Sequence, residues 1–246
     1  MKYCVIFLFI GTIPAQDIDL LFDYGNQAFK SRQYDDAIHS YETILERGWE
    51  NADLYYNLGN AYFRSHEIGQ AIWAYNKGIQ LFPRDIDIQQ NLDISNSRIL
   101  DRLVLPEPFF FLRVYRELKN NFTVQEFVMI GSLILFLEAL LFMNFQFGWI
   151  RNIVVRKFIG ILVIVAMVVH GIALDKFIQQ KNARQGIIVD NGVEAYSGPF
   201  YGENAVLFRI NEGTMADLYQ SQEGWVEIML IDGKTGWIPS DTIRLL

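Results

Sequence analysis

The apolar positions along the 246-residue chain follow three rhythms. After a short apolar head, residues 18–105 carry hydrophobic side chains at three- and four-residue spacing, the period of amphipathic helices. Two uninterrupted apolar stretches follow, 127–145 and 158–174, each close to the roughly 20 residues that cross a hydrocarbon layer. From Gly186 the pattern changes to short alternating runs at 187–189, 205–210, 215–218, 224–231 and 236–238, broken by turn residues, which predicts a small all-β domain at 186–246. The fold class read from this pattern is multidomain α + β: an all-α N-terminal region, a two-helix transmembrane hairpin and an all-β C-terminal domain.

The head reads as a signal peptide, 1–15: Lys2, an apolar run, then Pro14 and Ala15. Cys4 sits inside that run and not at the start of a mature chain, which speaks against a lipid anchor. The loop between the spans, 146–157, carries Arg151, Arg156 and Lys157 and no acidic residue, so the positive-inside rule places it in the cytoplasm. The expected location is the cytoplasmic (inner) membrane, crossed twice, with both terminal domains in the periplasm. Composition narrows the function. A net charge of −7 argues against nucleic acid as a partner. One cysteine, three scattered histidines and the lack of a Gly-x-Ser-x-Gly or His-x-x-x-His motif predict no metal site, no cofactor, no catalytic residues and no enzyme activity.

Glu138 lies near the middle of the first span, where a carboxylate is costly, and this predicts contact with a helix of another protein. His170 is not at the same depth: it lies about 6 Å from the outer end of the second span, whereas Glu138 is about 16 Å in from residue 127. Neither span has small residues four apart, so no tight packing between them is expected.

Shifted by 34 residues on itself, the chain aligns Tyr24-Gly25-Asn26 with Leu58-Gly59-Asn60, Phe29 with Phe63, Ala37-Ile38 with Ala71-Ile72, and Tyr41 with Tyr75. The period and these positions resemble the tetratricopeptide family. The resemblance implies a solenoid of repeats 18–51 and 52–85 with a capping helix 86–105, in which Gly25, Gly59, Ala37 and Ala71 allow close helix approach while Phe29, Phe63, Tyr41 and Tyr75 pack around it. So short an array is expected to lean on the juxtamembrane segment 106–126 or on a partner. The resemblance also places Asn26, Asn57, Asn60 and Asn91 in a concave groove, with Phe22 and Tyr56 beside them. Lys30, Arg64 and Arg98 are themselves 34 apart and predict a basic ladder along one edge. Either the groove takes an extended peptide, with the asparagines pairing to its backbone and the ladder to its acidic groups, or these cations are simply solvated.

In the last sixty residues, Glu212-Gly213-Thr214, Gly224-Trp225-Val226, Asp232-Gly233-Lys234 and Gly236-Trp237-Ile238-Pro239 resemble the bacterial SH3 family. The resemblance implies an SH3-like barrel with a tight turn at Asp232-Gly233-Lys234, Trp225 and Pro239 on its binding face, and Trp237 in its core. Thr242 stands where a groove tyrosine is usual and the N-terminal tyrosine motif is missing, which argues against polyproline recognition; cell-wall peptide suits an external location. The order of signal, two repeats with a cap, hairpin and SH3 domain, together with Pro106-Glu107-Pro108-Phe109-Phe110, resembles the BatE proteins of the Bacteroides aerotolerance operon. That resemblance implies membrane partners with von Willebrand factor A domains and a MoxR-type ATPase, and a scaffold role in aerotolerance or envelope stress. The rival class is an envelope sensor or receptor for cell-wall peptide that signals through the hairpin.

Overall fold

The computed structural model describes residues 15–99, 109–148, 153–182 and 184–246. Residues 1–14 of the expected signal peptide (1–15), residues 100–105 of the expected cap, Pro106-Glu107-Pro108 and Arg151 lie outside the described residues. Five helices come first: α1 (Ala15–Lys30), α2 (Tyr34–Glu46), α3 (Ala52–Arg64), α4 (Ile68–Leu81) and α5 (Ile86–Asn96). The asparagine and aspartate before α3 and α5 start them: Asn51 accepts from the Leu54 amide at 2.7 Å and Asp85 from the Ile88 amide at 3.0 Å, each satisfying an otherwise orphan donor. The two helix pairs reverse in the same way, with Arg32 (φ 62°) and His66 (φ 67°) in the left-handed region one repeat apart. Within each pair a glycine faces a tyrosine ring. A Cβ on Gly25 would meet Tyr41 at 2.6 Å, and one on Gly59 would meet Tyr75 at 2.5 Å. The core between them holds Ala37, Tyr41, Leu58, Ala71, Ile72 and Tyr75, all essentially inaccessible.

Where the sequence pattern showed only a juxtamembrane segment there is a further helix, α6 (Phe110–Asn121). Two long apolar helices follow, α7 (Val124–Gln146) and α8 (Ile153–Asn182). Thr123 and Glu126 start α7 with a reciprocal cap: the Glu126 amide donates to Thr123 Oγ1 at 3.1 Å and the Thr123 amide to Glu126 Oε2 at 2.9 Å. α8 begins inside the 146–157 stretch read as a loop and runs eight residues past position 174. Apolar patterning detects the part that matches hydrocarbon, whereas a helix continues for as long as its backbone bonds are made. Both helices are long and apolar enough to cross a membrane, and only 11% and 17% of their most apolar windows are buried, unlike the core helix of a soluble protein.

The expectation of loose packing between these helices is corrected. α7 and α8 lie against each other along a seam of Ile159, Ala166 and Ala173, spaced by seven, with the His170 ring seated on Gly131, where a Cβ would meet it at 2.3 Å. A heptad seam brings small residues together without a four-residue spacing.

The C-terminal domain is one antiparallel seven-stranded sheet: β1 (Gln185–Ile188), β2 (Val193–Tyr196), β3 (Val206–Ile210), β4 (Met215–Gln222), β5 (Trp225–Leu230), β6 (Thr235–Pro239) and β7 (Ile243–Leu245). The order across the sheet is β3-β2-β6-β5-β4-β1-β7. One face buries Ile188, Ala195, Ile210, Val226, Ile228 and Ile238. The β5–β6 turn has Gly233 at φ 86°, a region open to glycine, and Asp232 Oδ1 accepts the Lys234 amide at 3.1 Å.

Candidate functional site

The inner face of the helical repeats carries the first candidate. Buried against their glycines, the phenols of Tyr41 and Tyr75 are pushed up by loss of solvent, Tyr41 to about 12, and so remain donors. Tyr41 donates to Asn26 Oδ1 at 2.8 Å and Tyr75 to Asn60 Oδ1 at 2.8 Å. The same two oxygens each accept a second bond from the next repeat, from Asn57 Nδ2 at 3.1 Å and Asn91 Nδ2 at 2.8 Å. Much of the asparagine chemistry expected to meet a peptide is therefore used between helices, since a carbonyl oxygen with two donors is full. What Asn26 and Asn60 retain for a ligand is the Nδ2 side.

A cavity of about 370 Å³ opens at this face between α1, α3, α4 and α5, lined by Phe29, Asn60, Phe63, Arg64, Tyr75, Asn91 and Ile94. It gathers Asn60, Arg64 and Asn91 in one place, and Arg98 lies beside it with its guanidinium 4.4 Å from the centre of the Phe63 ring. Asn26 and Asn57 form the equivalent pair one repeat earlier and do not line it. Phe22, half-buried against Tyr41, and Tyr56 also stand outside it. Lys30 and Arg64 are exposed, and Arg64 Nε donates to the Tyr34 hydroxyl at 3.3 Å. Phe29 and Phe63, read from the sequence as packing residues, are half-buried and present part of their rings to the cavity. Their 34-residue spacing marked them as structural, and no spacing along the chain showed that their rings also wall a cavity.

The second candidate lies on the outward face of the sheet. Tyr196, Tyr201 and Trp225 form a mutual aromatic cluster with ring centres 4.6–5.6 Å apart, and Pro239 stands opposite Trp225 in register. Tyr201 is 72% exposed. Tyr196 ends β2 and is 8% exposed beneath this cluster, and Tyr201 lies in the loop after it. Trp237, expected in the core, is corrected to this outward face: it pairs with Glu227 and alternates with buried Gly236 and Ile238, so the strand's period of two turns it away from the core.

Between the two candidates is a junction that no sequence signal announced. Arg244 of β7 inserts against α2, α3 and α4, bonding Glu42 Oε1 at 2.8 Å, the Tyr62 hydroxyl at 3.1 Å and Gln70 Oε1 at 2.9 Å, with its guanidinium stacked on Trp73. Trp73 Nε1 donates to the Leu245 carbonyl at 2.8 Å, and the Gly69 amide to Glu212 at 2.7 Å. Ile187 of β1 belongs to the helical core. The repeats are also fastened to α7: Arg84 forks onto both Glu126 oxygens, donates to the Asn121 carbonyl at 2.8 Å and covers the Phe122 ring. The short array thus touches both the β-domain and the start of α7.

Glu138 is half-buried on α7, and no hydrogen bond reaches its carboxyl among the described residues. His170 faces Gly131, seven residues or about 10 Å along the helix from it, so the two stay at separate depths. Among the described residues no three His, Cys, Asp or Glu side chains are grouped to hold a metal ion.

The class defined by this arrangement is a helical-repeat unit and an antiparallel β-domain joined to a pair of long apolar helices. Within it, residues 189–244 match the family model of the bacterial SH3 domain. Among solved structures the chain is similar to the TPR domain of Arabidopsis OM64, with 17% sequence identity over 43% of this chain and 77% of that one and a TM-score of 0.32. No curated protein matches the chain.

Proposed function

We propose that the protein is a non-catalytic membrane-anchored scaffold that binds protein partners through its repeat groove and through the aromatic face of its SH3 domain. The two apolar helices anchor it in the cytoplasmic membrane and both binding modules face the periplasm. The N-terminal helices act as a tetratricopeptide solenoid with a cap, and the sheet as an SH3-like barrel. The observation that carries this reading is the groove cavity, where Asn60, Arg64 and Asn91 converge beside Arg98 on apolar walls: it offers amide donors and cations to an extended acidic segment, with Lys30 extending the positive edge. Phe22, Asn26, Tyr56 and Asn57 continue the same surface one repeat on. Trp225 and Pro239, with Tyr196 and Tyr201, suit cell-wall peptide or a flat partner surface. The resemblance to BatE proteins names membrane partners with von Willebrand factor A domains and a MoxR-type ATPase system, in a complex for aerotolerance or envelope stress.

The test is capture from solubilised membranes with the chain carrying Arg64→Glu and Arg98→Glu. Loss of stoichiometric partners, with the helical signal unchanged, is expected; undiminished capture would sink the groove as the binding site. One observation favours the sensor reading as a second: α8 is unbroken from Ile153 to Asn182 and β1 starts at Gln185, so only two residues separate the hairpin from the β-domain. A chain that is isolated alone and binds wall fragments would support that second reading.

A further inference from the structure

Helix α6 has three differently furnished sides. One is docked on α8: the Tyr115 hydroxyl donates to Asp175 at 2.6 Å, Lys119 pairs with the same carboxylate, and Lys176 Nζ donates to the carbonyls of Lys119 at 2.7 Å and Phe122 at 2.6 Å. A second is polar, with Arg113, Arg116, Glu117 and Asn120. The third has no helix or strand against it among the described residues. Phe110, Phe111, Val114 and Leu118 are 62%, 84%, 46% and 43% exposed, and at 3.6 residues per turn they share one arc roughly 100° wide. Phe109, the residue before the helix, is 89% exposed.

The position of this face says what covers it. The last turn of α6 is bonded to Lys176, just beyond the apolar run of α8, and α7 begins at Val124, two residues after Phe122. Both connections hold α6 at the level where hydrocarbon gives way to headgroups. Aromatic side chains favour that level, and arginines beside them match lipid phosphates. The same two arginines leave the opposite side of the helix compatible with water. We propose that α6 lies along the bilayer surface on the side of the soluble modules, with Phe110, Phe111, Val114 and Leu118 among the acyl chains and Arg113 and Arg116 at the phosphates. Through Arg84, which binds the Asn121 carbonyl, this helix would also set the height of the repeat groove above the lipid.

The inference rests on the reading of α7 and α8 as membrane spans, and the experiment separates the two. Full-length chains with Cys4→Ser carry a single environment-sensitive fluorophore on Leu118→Cys, Asn120→Cys or Leu133→Cys. They are reconstituted without other proteins into vesicles of phosphatidylcholine and phosphatidylglycerol. The Leu118 probe should be blue-shifted and quenched several-fold more strongly by brominated lipid than the Asn120 probe, which iodide in the buffer should reach. A Leu118 probe open to iodide while the Leu133 probe is shielded would overturn the proposal, keep the spans, and assign this face to another protein. A Leu133 probe open to iodide would overturn both.

Discussion

A methyl group at position 59 measures how closely α3 and α4 approach. Elsewhere in a helix, Gly→Ala gains about 0.5–1 kcal/mol. Here the new Cβ would lie 2.5 Å from Tyr75, whose ring is buried and held by Asn60, so it cannot swing aside. Gly59→Ala should destabilise the chain by about 1–3 kcal/mol, seen as a lower melting temperature of the helical signal. Glu67 offers a test of opposite sign. Burial, then the carboxylates of Asp35, Glu212 and Glu42, raise its pKa above the ordinary carboxylate value. A raised pKa in the folded state means that the contribution is intact below the unfolded value and is lost as pH rises through the folded one. Glu67→Gln should therefore raise the melting temperature near neutral pH, and the gain should vanish below about pH 4, as the Glu67 carboxyl becomes protonated in the folded and the unfolded state alike.

At the scale of elements, β7 is three residues long yet fastens the sheet to the repeats. Removing the Arg244 side chain strips the partner from a half-buried Glu42 and uncovers Trp73, a loss of about 2–3 kcal/mol. We expect Arg244→Ala to split one thermal transition into separate helical and β transitions, recorded by circular dichroism in the far and near ultraviolet. Elements of this kind also mark the limit of what the sequence made legible. The helix pairs were readable because each residue type recurs after 34 positions, and the apolar helices because hydropathy alone defines them. β2 and β7 were missed: four- and three-residue strands give too few alternations to show a period of two. α6 was missed because its apolar arc is followed at once by a far stronger apolar run. The asparagines stood out by their repeat, but their bonds to one another depend on the distance between neighbouring helices, which spacing along the chain does not encode. Arg244 meets Glu42 across 202 positions, beyond any local pattern.

For the molecule as a whole, the carboxyl of Glu138 stands at mid-depth on a helix whose flanks are otherwise apolar. Glu138→Leu should leave both soluble modules folded, with an unchanged circular dichroism spectrum, while membrane partners no longer co-purify; unaltered co-purification would remove Glu138 from the contact. Arg84 ties the repeats to the start of α7, Lys176 ties α8 to the end of α6, and Arg244 ties β7 to α2, α3 and α4.

The Trp73 bond to the Leu245 carbonyl spans 172 residues. At the usual pace of synthesis, about 5–20 residues per second, the indole emerges roughly ten to thirty seconds before its mate exists. Until β7 follows, Trp73 lacks both the carbonyl that accepts its bond and the guanidinium that covers its ring.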